Sequence, residues 1–277
     1  MKKGISGWAF IDRDPDACFA LARKYGFDGV ELVLGETGPV QYSSTKDDMI
    51  ALRNKAAEYG LSLYSLVCDQ CWADSLTSDD PARRKRARER IEKQIELASY
   101  LGCATVLILP GMVEGLAPDG EVVPYDMVYD RALEAIAALE PVAKRYNVVI
   151  GLENVWNKFF LSPLEMRDFI DRIDSPWVSA YFDVGNVMIN GYPEQWINIL
   201  TNRIAKIHFK DFRREDNGGG QFVDLLEGDV NYPAVMESLN RIGYDGWVTA
   251  EVFPDAVDPE RVLQVNSATM DRILQNN

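Results

Sequence analysis

The chain has 277 residues, 47% of them hydrophobic, and a formal charge of −14 at pH 7. That length suits one α/β barrel and can bury a sizeable core. The acidic balance argues against nucleic acid as a partner, because phosphate backbones need a positive surface field; it does not forbid one small anion held by local cations. The N-terminus, Met1-Lys2-Lys3-Gly4-Ile5, runs straight into a strand-like segment. No signal peptide and no apolar stretch of membrane-spanning length is present, so a cytoplasmic protein without membrane contact is expected.

In chain order, short apolar runs bounded by turn residues alternate with longer segments of 3.6-residue periodicity. The first run, Lys3–Gly7, leads into Gly7-Trp8-Ala9-Phe10, which lacks the glycine-rich phosphate turn of an open doubly wound sheet. The second, Gly29–Val33, precedes a helix expected over Asp47–Tyr59. The third, Ser62–Val67, ends beside Cys68-Asp69-Gln70-Cys71, whose spacing fits a redox pair or half of a zinc site. With no second CxxC and a single histidine, two reduced thiols are the simpler reading. A helix over Ala82–Leu101 opens on Arg83-Arg84-Lys85-Arg86-Ala87-Arg88. Glu89, Glu92 and Glu96 follow at helical spacing, so the run reads as a solvated helix face and not a nucleic-acid patch.

The fourth run, Thr105–Leu109, passes through an interruption at Gly111–Pro124 to a helix over Met127–Tyr146. Runs five to seven are Val148–Glu153, Val178–Asp183 and Ile204–Lys210. A second interruption, Arg213–Asn231, contains Gly218-Gly219-Gly220 and reads equally as a mobile lid or a plain flexible loop. A helix over Pro233–Ile242 and the run Trp247–Val252 complete the pattern. Gly26, Gly60, Gly102 and Gly243 fit left-handed helix C-caps. Continuous apolar strands alternating with helices, eight times over and without a linker, predict a (β/α)8 TIM barrel with residues 1–277 as a single domain.

His208 is the only histidine. With alternate residues pointing inward, it falls near the C-terminal end of the seventh strand, where barrel enzymes keep their catalytic groups. A lone histidine is more often structural than a ligand, but three neighbours change that balance. The fifth strand ends at Glu153, the sixth at Asp183 and the eighth at Glu251. Three carboxylates on one rim repel each other unless a cation sits among them. Glu153, Asp183, His208 and Glu251 therefore form a candidate site for one divalent metal ion. A thiolate-free set of three carboxylates and an imidazole favours Mn²⁺, Mg²⁺ or Co²⁺, with Zn²⁺ also admitted; Mn²⁺ is the first expectation. Such an ion can hold adjacent sugar oxygens and polarise a carbonyl.

Leu152-Glu153-Asn154, Asp183-Val184-Gly185-Asn186, Lys206-Ile207-His208-Phe209-Lys210-Asp211 and Glu251 occur in that order, behind Gly26-Phe27-Asp28-Gly29-Val30-Glu31-Leu32. Together they resemble the xylose-isomerase-like sugar isomerase/epimerase superfamily of TIM barrels over nearly the whole chain. Endonuclease IV, with a trinuclear zinc site, and true xylose isomerases, with two metals and a ring-opening histidine, need histidines this chain lacks. The resemblance thus implies a single-metal isomerase, foremost a ketose or pentulose-phosphate 3-epimerase. It implies that Glu153 and Glu251 are also the acid–base pair. One removes the proton next to the carbonyl, giving a metal-stabilised enediolate, and the other returns a proton to the opposite face. It also places a substrate-contacting arginine at Arg214, with Arg213 adjacent.

Two positions depart from the tagatose-type members. Asn186 stands where they carry a histidine and Phe159 where they carry a second glutamate. Both of those residues contact sugar hydroxyls there, so the departures point away from a free ketohexose, while the Asp183-Val184-Gly185-Asn186 form and the Lys206-Ile207-His208-Phe209-Lys210-Asp211 strand look more like the pentulose-phosphate 3-epimerase branch. Lys158, Lys210 and Arg214 are the cations that could balance a phosphate, although no phosphate-cradling glycine loop is present. Trp8, Trp72, Trp156 and Phe253 lie just past strand ends, as a wall for a sugar ring or as a cover for the barrel mouth. Asn186, Lys210, Arg214, Trp8 and Trp156 are the candidate substrate contacts. Glu31 either reaches the pocket or fills a barrel layer. The alternative function is elimination by the same chemistry, in a dehydratase or C-glycoside-cleaving lyase; a non-catalytic metal- or sugar-binding barrel is a third. The small-molecule partner is a sugar or sugar phosphate, and a homodimer or homotetramer is left open.

Overall fold

A computed structural model of the chain describes residues 1–115 and 120–275. Among these residues eight parallel strands pair in chain order: β1 Lys2–Ser6, β2 Gly29–Gly35, β3 Ser62–Cys68, β4 Thr105–Ile108, β5 Val149–Glu153, β6 Val178–Asp183, β7 Ile204–Phe209 and β8 Trp247–Ala250. β1 pairs with both β2 and β8, which closes the barrel. The eight helices outside it are α1 Pro15–Lys24, α2 Lys46–Glu58, α3 Pro81–Leu101, α4 Tyr125–Tyr146, α5 Pro163–Ile173, α6 Pro193–Leu200, α7 Tyr232–Arg241 and α8 Pro259–Gln275. This is the single-domain TIM barrel that the sequence predicts.

Local chemistry explains the boundaries. Every residue of β2 is buried, as expected of a strand with core on both faces. Asp14, Asp80 and Ser162 cap α1, α3 and α5 through side-chain oxygens, each followed by proline, whose fixed φ and missing N–H suit the first helical turn. The basic run at the start of α3 is a salt-bridged surface: Arg86 and Arg90 both hold Asp74, and Lys85 faces Glu89 one turn on. Within 111–124, Glu114 and Val122 form an antiparallel bridge, while residues 116–119 lie outside the described ones. The stretch after β7 differs from a plain loop. Asp211–Arg214 pairs antiparallel with Gly220–Val223 as a hairpin, because Gly218 turns the chain at φ +83° and Gly220 sits opposite Arg214.

The main core lies between strands and helices. A smaller cluster fills the barrel's upper interior, where Val33, Val67, Leu107, Leu109 and Tyr181 pack under Trp8, Trp72 and Val155. That layer is the apolar floor of the site.

Candidate metal centre and substrate cavity

The period-two alternation of the strands sets the site. In β7, Lys206, His208 and then Lys210 fall on one face, and β-register places Asp183 beside His208. The tight Asp183-Val184-Gly185-Asn186 turn exists because Gly185 has no side chain. A Cβ there would come within 2.9 Å of the Lys210 carbonyl oxygen. Asn154 locks the ends of β5 and β6 together: its amide donates to the Asp183 carbonyl at 2.9 Å and its oxygen accepts from the Asp183 N–H at 3.0 Å.

Glu153, Asp183, His208 and Glu251 converge so that one ligand atom from each lies within 4.8 Å of all the others. His208 Nδ1 points into the group, 3.2 Å from Glu153 Oε1, 3.4 Å from Glu251 Oε2 and 3.8 Å from Asp183 Oδ2. Asp183 Oδ1 accepts from the Asn186 N–H at 2.7 Å, but Oδ2 is buried without any hydrogen-bond partner. A fully buried carboxylate oxygen left unpaired is costly, and a cation bound there would satisfy it. The donor set, three hard oxygens and one imidazole nitrogen, fits a divalent ion.

The charges respond as such crowding requires. Burial, followed by repulsion from Glu251 and Glu153, pushes Asp183 up to about 7, against the pull of Lys210. Burial likewise raises Glu153. Glu251 goes the other way despite its burial: Lys210 Nζ at 2.7 Å and the imidazole hold it well below the usual carboxylate range.

Glu31 is the residue that the sequence left ambiguous. It is fully buried inside the barrel and accepts from His208 Nε2 at 3.1 Å and from the Tyr181 hydroxyl. With Glu31 on Nε2, Nδ1 is the nitrogen that faces Glu153, Asp183 and Glu251 and could ligate a metal. Its place in Gly29-Val30-Glu31-Leu32, an otherwise apolar strand, was the available signal.

Above the group lies a cavity of about 350 Å³ lined by Glu153, Glu251, Asn186, Lys210, Trp8 and Trp156 together with apolar side chains. Asp183 and His208 lie buried beneath it. The Asn186 side chain is already engaged, donating to the Asn154 carbonyl at 2.9 Å. Trp156 donates from Nε1 to the Asn186 carbonyl and is stacked by Phe222 of the hairpin at 4.8 Å. Arg214 is placed elsewhere: its guanidinium donates to the carbonyls of Met188 and Gly191 and does not line the cavity. Arg213 bonds the Glu227 carbonyl. Phe159 is buried in an aromatic cluster with Tyr125, Tyr129, Phe160 and Phe169. Cys68 and Cys71 both line the cavity as free thiols, and Cys68 Sγ lies 2.9 Å from the Tyr42 hydroxyl.

A family model described as the xylose isomerase-like TIM barrel matches residues 19–272. The chain belongs to that family. Within it, the putative L-ribulose-5-phosphate 3-epimerase SgbU of Escherichia coli (strain K12) is 28% identical over 265 residues, covering 90% of this chain and 86% of that protein. The solved structure of an L-ribulose 3-epimerase superposes with a TM-score of 0.82 at 18% identity, over 99% of this chain and 95% of that one. The IOLI protein with a bound zinc atom gives 0.81 at 15% identity, over 100% and 99%. At those identities the two structures speak to the fold. The L-ribulose-5-phosphate 3-epimerase UlaE of Escherichia coli (strain SMS-3-5 / SECEC) is 24% identical over 251 residues, covering 86% of this chain and 82% of that protein, and the chain is an enzyme of the isomerase/epimerase class. Among the described residues no helix is long and apolar enough to cross a membrane.

Proposed function

We propose that this enzyme is a divalent-metal-dependent ketose 3-epimerase, acting on a ketose or ketose phosphate in the cytoplasm. The observation that carries the reading is the placement of two carboxylates, Glu153 and Glu251, at one cavity and around one imidazole nitrogen. Glu153, Asp183, His208 and Glu251 would hold the ion, with Mn²⁺ the first choice for this donor set. When bound, the ion supplies an electrophile that acidifies the carbon next to a carbonyl and stabilises the enediolate charge.

The protein's own groups do the rest. One of the two glutamates removes the proton at carbon 3, and the other returns a proton to the opposite face. Such transfer needs each carboxylate within hydrogen-bond reach of the reacting carbon, and both carboxylates line the one cavity, at the ends of β5 and β8. Lys210 holds Glu251 in place and in its ionised form. Trp8 and Trp156 offer rings against which the sugar's C–H face can lie.

The test is metal-restored exchange. Chelator-stripped protein supplied with Mn²⁺ should incorporate deuterium from D₂O at carbon 3 of a ketose. Glu153→Gln or Glu251→Gln should lower the rate by about 10²–10⁴-fold. Exchange at carbon 1 or 2 would replace the epimerase reading with aldose–ketose isomerisation. The second reading, elimination by a dehydratase or C-glycoside lyase through the same carboxylate pair, would show as a change of product mass.

A further inference from the structure

The basic run that opens α3 has two faces. Arg86 and Arg90 turn towards Asp74, whereas Arg84 and Arg88, one turn apart, line a cleft of about 340 Å³ against α4, on the outside of the barrel. Lys85 and, from α4, Arg131 and Glu134 complete its charged lining. Four cations thus meet one lining carboxylate in a chain whose net charge is −14. Like charges one helical turn apart are unfavourable, so the sequence keeps this arrangement at a cost.

Two of the guanidiniums are held in place with most of their donors left over. Arg84 Nη1 donates to the carbonyls of Ser78 at 2.6 Å and Asp79 at 3.2 Å. Arg131 Nη1 donates to the Thr77 carbonyl at 2.9 Å, to the same Ser78 carbonyl at 3.3 Å and to the Asp79 carboxylate at 2.7 Å. Each side chain is pinned through one nitrogen, and the Nε and Nη2 donors of both have no partner among the described residues. The shelf that pins them is itself fixed: Thr77 and Ser78 are buried, Thr77 Oγ1 accepts from the Met112 N–H at 3.0 Å, and the Ser78 hydroxyl donates to Glu121 at 2.8 Å. The other two cations are loosely paired at the surface, Lys85 with Glu89 at 3.7 Å and Arg88 with Glu92 at 3.9 Å, and exposed pairs of that kind contribute little.

Two guanidiniums gathered on one carbonyl oxygen repel each other, and an anion between them removes that repulsion. Asp79 offsets Arg131; Arg84 has no carboxylate of its own among the described residues. Guanidinium forks match the oxygens of a phosphate group, and the cleft has the volume of a small-ligand site. The acidic chain around it disfavours a long polyanion, while local cations can still hold one small dianion.

We infer that the cleft between α3 and α4 is a second ligand site, separate from the candidate metal centre, that binds the phosphate group of a small solute. The inference uses no part of the epimerase reading.

The experiment titrates inorganic phosphate, and separately glycerol phosphate as an ester, into the native protein by calorimetry, at an ionic strength held constant with chloride. Phosphate should bind with a Kd of about 1 mM or tighter. Arg84→Gln should weaken it about 10-fold, as expected for lost charge-assisted hydrogen bonds. Arg88→Gln, at an exposed position that does not touch the shelf, should weaken it about threefold and keeps the test valid if Arg84→Gln unsettles the fold. Glu134→Gln, which removes the one lining carboxylate, should tighten phosphate about threefold, a gain that damage to the fold does not produce. Binding of both probes assigns the phosphoryl group as the ligand, and binding of one alone tells the free ion from the ester; each supports the site. A Kd above about 10 mM for both probes, or an affinity that none of the three substitutions changes, overturns it.

Discussion

Replacing Glu31 by glutamine tests the link between barrel packing and the metal site. Glu31 is fully buried, accepts from His208 Nε2 at 3.1 Å and also accepts from the Tyr181 hydroxyl. Glutamine preserves the volume but turns one acceptor oxygen into an NH₂ donor, so one of the two incoming donors loses its partner. Without a carboxylate on Nε2–H, the imidazole gains access to the tautomer that carries its proton on Nδ1, the nitrogen aimed at the three candidate ligand carboxylates. Loss of such an outer partner costs about 10- to 100-fold in metal affinity, or roughly 1.4–2.7 kcal/mol. Calorimetric titration of Mn²⁺ into chelator-treated protein reads this directly, and a melt in EDTA controls for folding. Glu31→Gln that binds Mn²⁺ within twofold of wild type, at an unchanged melting temperature, would refute the tautomer argument.

Three further outcomes are expected. Adding the preferred divalent ion at about 100 times its Kd should stabilise the folded chain by about 2.7 kcal/mol. That corresponds to a rise of roughly 4–5 °C in Tm for a chain of this size, reversed by EDTA; a Tm indifferent to Mn²⁺, Mg²⁺, Co²⁺ and Zn²⁺ alike would overturn the metal reading. Asp211 accepts from the N–H groups of Phe212, Leu226 and Val230 at 2.8, 2.9 and 3.1 Å, so Asp211→Ala leaves buried amides unpaired. The loss should be about 3 kcal/mol or more, and hydrogen exchange should speed up within 211–230 before the rest of the barrel opens. Glu96 joins α3 to α4: the Lys93 ammonium, then the Tyr146 and Tyr100 hydroxyls, hold its carboxyl below the usual range. A depressed carboxylate contributes above its unfolded pKa near 4.3 and stops contributing as pH falls through the folded value. Glu96→Gln should therefore melt about 1–2 °C lower at pH 7 and coincide with wild type near pH 3. A pH-independent difference would contradict it.

Much of this molecule is written locally. Eight apolar strands, proline-started helices and glycine caps specify the barrel because each depends on residues close in the chain. Four ligand candidates at four strand ends were legible for the same reason, since strand alternation tells which residues face inward. Three things were decided only by the tertiary structure. Glu31 and His208 are 177 residues apart, and only closure of the barrel through β1 brings them to 3.1 Å. Arg214 has the spacing of a substrate arginine, but its hairpin turns it onto the carbonyls of Met188 and Gly191, and hydrogen-bond competition of that kind has no trace in spacing. Asp69, read as the middle of a CxxC, comes to the cavity wall because Gly35 of the neighbouring strand leaves its carboxylate room. Charge on a side chain is a property of sequence; whether that charge is still available to a ligand depends on what the fold has placed within 3 Å of it.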